Sequence, residues 1–295
     1  MTSEQNPSPA PYFDDFTKAS ELHSYNALQF ADQVRSYLPS QKLRTLDTAS
    51  ADRALHKPSD AHQRLLADRR STREFSSAAM DPQKLGSLLA AFAAESDGHR
   101  SFPSAGGLYP VEVVVAVAHV SEMPRHIAVY HFDTHALGWI ADLPTWDDWK
   151  ESLGSGVEHE PPVTVFFCVD PSAMVEKYGE RGGRFALIEV GHAAQVVAER
   201  AAVAGLGGYS VGGLLERNAQ MLFGFNRLAK PPIPVLAYAC GLRATEPAIE
   251  NFTDISSKAS VEGTPIPSLL QRFRGRWVSG SNSPARNSGQ PDTSD

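Results

Sequence analysis

The strongest constraint on the fold is a long apolar segment that follows a charged, glycine-rich stretch beginning at Glu176. From Phe185 to Ala204 the few polar residues recur every three or four positions, which predicts a helix with a single polar stripe. Such a helix must be buried, in the middle of a domain or at a subunit interface, so the stripe must face a cavity or paired partners. The stripe consists of Glu189, His192, Gln195 and Glu199. We expect His192 and Gln195 to make structural hydrogen bonds.

Composition excludes several classes of function. The chain has 295 residues, 42% of them hydrophobic, which is enough for one large or two small domains. A net charge of −7 argues against a nucleic-acid surface. The polar start, without any run of about eighteen apolar residues in the chain, favours a cytoplasmic protein with no membrane segment. Cys168 and Cys240 lie in apolar runs, which predicts buried thiols rather than a redox pair or metal site.

The spacing of apolar runs and turn residues predicts an α+β fold in three layers, with a mixed or antiparallel sheet flanked by helices. Helices are expected at residues 83–95, begun by an Asp81 cap, and at 185–204. Four or five strands are expected, at residues 111–118, 162–170 and 234–240 and in a hairpin that turns at 133–136. His131 and His135 lie beside that turn with no partner at metal-ligand spacing, so we predict no metal site.

Four regions differ in composition. Residues 1–60 read as an N-terminal extension with a disordered start, and residues 61–243 as the main domain. A C-terminal extension covers residues 244–278, and the Gly-, Ser- and Asn-rich residues 279–295 are predicted to be a disordered tail.

Three segments outside the long helix carry features of a binding site. Arg69, Arg70, Ser71 and Arg73 form a basic cluster that suits a phosphate, although a solvated basic turn before a helix explains the same residues. The loop of residues 103–107, made of Pro, Ser, Ala and Gly, offers bare backbone to a flat ring. A glycine-rich loop at 204–213 is predicted to turn its backbone N–H groups toward a ligand.

These segments together resemble one family. RRSTREF at 69–75, PSAGGLYPVE at 103–112, KYGERGGRFALIEVGHAAQ at 177–195 and AGLGGYSVGG at 204–213 are similar to the FMN-dependent nitroreductase superfamily. Within it they resemble the SagB-type dehydrogenases, which include the azoline oxidases of thiazole/oxazole-modified peptide biosynthesis. The resemblance covers about three fifths of the chain.

The resemblance implies a homodimeric nitroreductase-like sandwich that binds FMN through residues 61–243. Arg69, Arg70, Ser71 and Arg73 would hold the phosphate and ribityl chain. The isoalloxazine ring would lie against Pro103, Ser104, Ala105 and Gly107, with the backbone of Val211, Gly212 and Gly213 at its N5 edge. Relatives add a basic pair near the C-terminus, for which this chain offers only Arg243, Arg272, Arg274 and Arg276.

By the same resemblance, Lys177 and Tyr178 would handle the proton while flavin N5 accepts a hydride and O2 serves as final acceptor. A lysine acts as a base at neutral pH where burial or a neighbouring cation lowers its pKa, and Arg181 and Arg184 are close in sequence. The glycines Gly179, Gly182 and Gly183 read as a flexible connection to the pair. A surface lysine beside a packing tyrosine explains the residues without chemistry.

Three functions remain open. The leading one is an azoline dehydrogenase for a precursor peptide, working with a cyclodehydratase in antibiotic or other ribosomal peptide biosynthesis. The second is an NAD(P)H-dependent reductase of nitro compounds or quinones, and the third is a flavin-free scaffold subunit of a biosynthetic complex.

Overall fold

A computed structural model describes residues 8–36 and 60–244. The helices are α1 Pro11–Ser20, α2 Ala27–Ser36, α3 Ala61–Asp68, α4 Pro82–Leu89, α5 Trp146–Trp149, α6 Ser172–Tyr178, α7 Glu180–Val203 and α8 Glu216–Leu222. The strands are β1 Val111–Val117, β2 His126–His131, β3 Ala136–Asp142, β4 Val163–Val169, β5 Leu206–Val211 and β6 Ile233–Leu242. Short 3-10 turns occupy Ala105–Gly107, Lys150–Gly156 and Phe225–Arg227.

The strands form one antiparallel sheet in the order β3-β2-β1-β4-β6-β5. The central strand β4 is buried along its whole length, as its continuous apolar run predicted. The β2–β3 hairpin is also confirmed. His131 and His135 are exposed beside its turn, where the Tyr130 hydroxyl lies 2.6 Å from Nδ1 of His135. Alternate residues along the strands face two different layers of helices.

Two hydrophobic clusters, one on each face of the sheet, confirm the predicted three layers. The first joins α4 and α7 to one face, through residues such as Leu88 and Val197. The second joins α5, the 150–156 turn and α8 to the other face, around Trp149 and Phe166. Cys168 and Cys240 are fully buried free thiols, as predicted, and burial raises the pKa of Cys240 to about 12.

Both predicted helices are present with different ends. Asp81 caps α4 by accepting a hydrogen bond from the Gln83 N–H at 2.7 Å, as predicted, but the helix ends at Leu89 rather than at residue 95. Helix α7 begins at Glu180, five residues before the predicted start. Gly182 and Gly183 are therefore buried helical residues, and the prediction of a flexible connection is wrong for them.

The glycine-rich segment at 204–213 was predicted as a loop, and this prediction is wrong because most of it is the edge strand β5. Its glycines make room for side chains from other elements. A Cβ atom on Gly207 would lie 2.7 Å from the Thr72 methyl carbon, and one on Gly208 would lie 2.5 Å from the Tyr238 ring. These glycines therefore serve packing, and their backbone groups pair with β6.

The polar stripe of α7 divides between the interior and the surface. Glu189 is only 2% exposed, whereas His192 and Gln195 are exposed in the single chain, so these two residues lie outside the interior of the domain. The Gln195 amide donates to the Glu199 carboxylate at 2.9 Å along the surface. This exposed stripe also carries Ile188, which is 48% exposed.

Several predictions concern residues outside the described ranges. They include the disordered start before residue 8, the extension and tail after residue 244, and the phosphate candidates Arg272, Arg274 and Arg276. Among the described helices, none has the length and apolar character needed to cross a membrane. Residues 8–36 and 60–244 also contain no group of three or more His, Cys, Asp or Glu side chains placed to hold a metal ion.

Candidate functional site

Three segments of the predicted site, the two ring-binding segments and the one with the Lys-Tyr pair, adjoin the same end of the sheet. Val111 begins β1 and pairs with Val169 at the end of β4, and Val169 in turn pairs with Ile233 at the start of β6. Val211 ends β5 near the same end, opposite Ala237. The loop before β1, the helix after β4 and the glycines after β5 therefore leave the sheet on one side. This topology explains how segments far apart in sequence belong to one site.

The loop before β1 turns tightly because of its glycines. Gly106 and Gly107 have φ values of +65° and +67°, a left-handed conformation that glycine adopts without the cost other residues bear. Ser104 closes the turn, since its hydroxyl accepts a hydrogen bond from the Tyr109 N–H at 2.8 Å. Tyr109 itself has φ +47°, so the loop retains backbone strain.

Lys177 and Tyr178 converge on this loop. A Cβ atom on Gly106 would lie 2.5 Å from the Lys177 Nζ and 2.5 Å from the Tyr178 hydroxyl oxygen. The Lys177 Nζ and the Tyr178 hydroxyl oxygen are therefore separated by no more than twice 2.5 Å. Lys177 is exposed, while the half-buried Tyr178 ring packs edge-on against Phe185 with centroids 5.3 Å apart. The loop and the adjacent Lys-Tyr pair thus form one surface that presents an ammonium and a phenol together.

Behind the loop lies a buried charged group that the sequence did not single out. Arg100 is 7% exposed, and its guanidinium carbon lies 4.6 Å from the Tyr109 ring centroid and 3.9 Å from that of Phe132. It donates to the Val111 carbonyl at 3.3 Å. Burial lowers the pKa of Arg100, although the nearby carboxylates of Glu112 and Glu189 oppose this change. The only sequence signal for this buried arginine behind the loop was its position three residues before Pro103.

Glu189 approaches the same loop from α7. Neither of its carboxylate oxygens has a hydrogen-bond partner within the described residues. Burial raises the pKa of Glu189, while Ser104, Arg100, His192 and the Val111 backbone are near enough to lower it. A neutral carboxylic acid is therefore favoured here more than at the surface. The polar stripe identified Glu189 in the sequence but not its position beneath the loop.

The basic cluster runs along the open edge of β5. Ser71 bridges to Gly208, and the Thr72 N–H donates to the Gly208 carbonyl at 3.0 Å. Arg73 stacks over the Tyr209 ring at 5.0 Å, on the side of the second hydrophobic cluster. Arg70 turns back to the end of α3, where it donates to the carbonyls of Ala67 and Arg69. Its guanidinium is thus occupied by backbone in this arrangement.

Arg243 joins this edge from the end of β6. The Arg243 backbone forms an antiparallel β-bridge with Phe75, and its side-chain Nε donates to the Leu206 carbonyl at 3.4 Å. Burial raises the pKa of Tyr238, and the positive charges of Arg69 and Arg243 both oppose that increase. Arg69 and Arg243 therefore act on the same hydroxyl from segments about 170 residues apart. Of the basic residues that the sequence offered near the C-terminus, Arg243 is the one in the described part of the chain.

The glycines after β5 complete this side of the sheet. Val211 is buried, Gly212 is exposed, and Gly213 lies close to the N-terminal extension, since a Cβ atom there would be 3.9 Å from Phe30 in α2. A Cβ atom on Gly154 would clash with the Gly213 carbonyl oxygen, so the 150–156 turn packs directly on this backbone. The segment predicted to lie at the N5 edge of the flavin, residues 211–213, is thus packed between α2 and the 150–156 turn.

The antiparallel sheet between two helical layers, with a glycine-lined end where the predicted site segments meet, defines the class of fold as an α+β three-layer sandwich. Residues 66–242 match the sequence model described as the Nitroreductase family. Because this match covers more than half of the chain, the protein belongs to the nitroreductase family.

Individual relatives agree with this assignment. A candidate nitroreductase from Methanocaldococcus jannaschii is 30% identical over 163 residues, which cover 52% of this chain and 78% of that protein. The structure of a candidate nitroreductase from Ralstonia eutropha has a TM-score of 0.54 at 25% identity, covering 67% of this chain and 88% of that one. A chain of the Escherichia coli microcin synthetase McbBCD complex, solved with truncated pro-MccB17 bound, shares the fold with a TM-score of 0.61 at 19% identity. That comparison covers 81% of this chain and 95% of the other.

Proposed function

We propose that this protein is an FMN-dependent dehydrogenase that oxidises thiazolines or oxazolines of a ribosomal precursor peptide to azoles in the cytoplasm. The observation that carries the proposal is the convergence of the Lys177 Nζ and the Tyr178 hydroxyl on Gly106. A reductase that receives its electrons from NAD(P)H has no need of a base beside the flavin loop. An azoline oxidase does need one, because removal of two hydrogens from the ring releases a proton as well as a hydride.

The described residues fit FMN in two respects. Arg69 and Arg243 offer positive charge beside the edge of β5, as a phosphate group requires. A Cβ atom on Gly107 would meet nothing within 4 Å, so the loop leaves open space above its backbone for a flat ring. Ser71, Arg70 and Arg73 remain proposed phosphate and ribityl ligands. Pro103, Ser104 and Ala105 with Val211, Gly212 and Gly213 remain proposed ring contacts.

When bound, FMN would supply the two-electron acceptor, with a hydride received at N5 and O2 as the final acceptor. The role proposed for Lys177 is to accept, at its Nζ, the proton that leaves the ring carbon. Tyr178 is proposed to orient the Lys177 amine and to share the proton, because its hydroxyl and the Lys177 Nζ lie equally close to Gly106. The exposure of Lys177 in the single chain leaves it accessible to a peptide substrate. The ring loses two hydrogens in total and becomes aromatic, which favours the product.

Two assemblies belong to the proposal. The exposed stripe of α7, which includes Ile188, His192 and Gln195, is an unusual surface for a helix buried elsewhere, and it supports a homodimer that covers the stripe. The fold shared with a chain of the microcin synthetase complex, which binds a pro-peptide, supports a peptide substrate and work beside a cyclodehydratase.

The test is oxidation of a thiazoline-containing peptide by the FMN-loaded protein in air without NAD(P)H, followed by mass spectrometry. The expected product has lost two hydrogens. Lys177→Ala and Tyr178→Phe should keep bound FMN and lose at least about a hundredfold in rate. Lys230→Ala, which removes an exposed lysine before β6, is the matched control.

Two other results would overturn the proposal. NAD(P)H-dependent reduction of a nitroarene or quinone, with no azoline oxidation and no effect of Lys177→Ala, would identify a flavin reductase. A colourless protein that does not take up FMN would identify a scaffold subunit.

A further inference from the structure

The N-terminal extension makes a specific contact with the junction between α6 and α7. The Glu180 carboxylate accepts hydrogen bonds from the backbone N–H groups of Tyr12 and Phe13, at 2.9 and 2.8 Å. These N–H groups belong to the first turn of α1, where no partner exists within the helix. A carboxylate also interacts favourably with the positive end of the helix dipole. Glu180 therefore caps a helix that precedes it by about 170 residues, and it lies two residues after Tyr178.

Packing reinforces this cap on both sides of the junction. Ala10 and Phe13 of the extension form a small buried cluster with Val175 of α6, and Leu187 of α7 packs against it. A Cβ atom on Gly183 would overlap the Phe13 ring, so the glycine provides the space that the ring fills. The ring thus contacts the helix that carries the Lys-Tyr pair and the helix that follows it.

The α6–α7 junction turns at a glycine, beside the close packing of Met174 on Gly182. Gly179 separates α6 from α7 with φ +57° and ψ −140°, outside the helical region, and a Cβ atom there would meet nothing within 4 Å. Helix α6 has only seven residues and ends at Tyr178. A rotation at Gly179 would move Lys177 and Tyr178 away from Gly106. What holds α6 against α7 therefore decides where the pair lies.

We propose that α1 is a positioning element, in which Phe13 and the Glu180 cap fix the α6–α7 junction so that Lys177 and Tyr178 remain on Gly106. The inference rests on the proposed function for its catalytic consequence. The extension is also fastened just after the C-terminal end of α1, where Glu21 pairs with Arg217 at 2.9 Å and the Leu22 N–H donates to Glu216 at 2.9 Å. That second contact lies on α8, away from the junction, and provides a matched control.

The test compares Phe13→Ala and Glu180→Gln with Arg217→Ala, which removes the ion pair on α8. Hydrogen–deuterium exchange is measured for peptides covering residues 172–179, and kcat and KM are measured with the thiazoline peptide. We expect exchange in α6 to become at least about tenfold faster in both junction variants and to stay at the wild-type rate in Arg217→Ala. We also expect kcat to fall about ten- to a hundredfold, with KM changed less than about twofold.

Phe13→Leu, which refills the space over Gly183, should restore most of the protection and of kcat. Unchanged exchange in α6 for both junction variants would overturn the proposal, as would equal effects in Arg217→Ala. Glu180→Gln preserves the side-chain shape and supplies the same comparison if Phe13→Ala does not fold. Exchange is measured on the protein without substrate, so the exchange rates alone decide the positioning role. A wild-type protein that oxidises no azoline would refute the proposed function and leave that decision unchanged.

Discussion

Replacing Gly106 with alanine tests the contact on which the proposed chemistry depends. The new methyl carbon would lie 2.5 Å from both the Lys177 Nζ and the Tyr178 hydroxyl oxygen. Non-bonded heavy atoms settle at about 3.5 Å, so the two polar atoms would have to retreat by about 1 Å. Both atoms are the ends of side chains that can turn aside, so we expect the cost to fall on catalysis more than on folding.

A matched variant separates this contact from backbone strain. Gly107 has nearly the same φ, +67° against +65°, but its Cβ atom would meet nothing within 4 Å. Each alanine should cost about 1–2 kcal/mol for the left-handed conformation. At roughly 2–4 °C per kcal/mol for a domain of this size, both variants should melt about 2–8 °C below the wild type. The difference between them then isolates the displacement of the pair.

The assay is thiazoline oxidation at saturating peptide, with bound FMN measured by absorbance and stability by thermal denaturation. A misplacement of about 1 Å in a catalytic group costs on the order of a hundredfold. We therefore expect Gly106→Ala to turn over about a hundredfold more slowly than Gly107→Ala at similar FMN content. Equal turnover in the two variants, with FMN bound in both, would refute the view that the pair works from its position on Gly106.

Three further variants test the electrostatics and packing around the site. Burial raises the folded-state pKa of Glu189, so its ionisation destabilises the fold as pH rises from the ordinary carboxyl pKa of about 4.3 to the raised folded-state pKa; Glu189→Gln should flatten the decline in unfolding free energy that urea denaturation measures over that rise. Gly208→Ala should lower the unfolding free energy by about 1–3 kcal/mol, because its methyl group would lie 2.5 Å from the Tyr238 ring, and unchanged stability in urea would contradict that packing. Arg243→Ala should weaken FMN binding about tenfold or more in a titration, while an affinity equal to that of the wild type would remove Arg243 from the phosphate site.

Elements with a local signal were predictable from the sequence. The continuous apolar run at residues 163–169 identified β4 because a central strand is buried on both faces and needs no alternation. The cap by Asp81 followed from an acidic residue before Pro82, which has the fixed φ of a first helical turn. The loop at 103–107 was also predicted from its Pro, Ser, Ala and Gly residues, whereas the role of the Lys-Tyr pair was predicted from family resemblance. Their contact at Gly106 is a property of the folded chain, and Gly106 itself was missing from the predicted site.

Prediction failed where the reason for a residue lies far away in sequence. The glycines of β5 resembled a ligand loop, because nothing near them in the sequence indicates that Thr72 and Tyr238 occupy the space above them. The early start of α7 was missed for the same reason. Gly182 weakens a helix by propensity, but here a Cβ atom would clash with the Met174 backbone carbonyl, so the close packing of α6 on α7 requires glycine.

The glycines of this chain divide into two physical kinds. Gly107 and Gly179 are needed for their backbone conformation and have open space around them. Gly183 and Gly208 have ordinary backbone angles and are needed because the aromatic rings of Phe13 and Tyr238 fill the missing side-chain volume. Gly106 meets both requirements at once, since its φ is positive and the Lys-Tyr pair fills its space. A substitution there is penalised twice, in folding and in the placement of the pair, whereas a substitution at Gly183 displaces only the ring that braces α6.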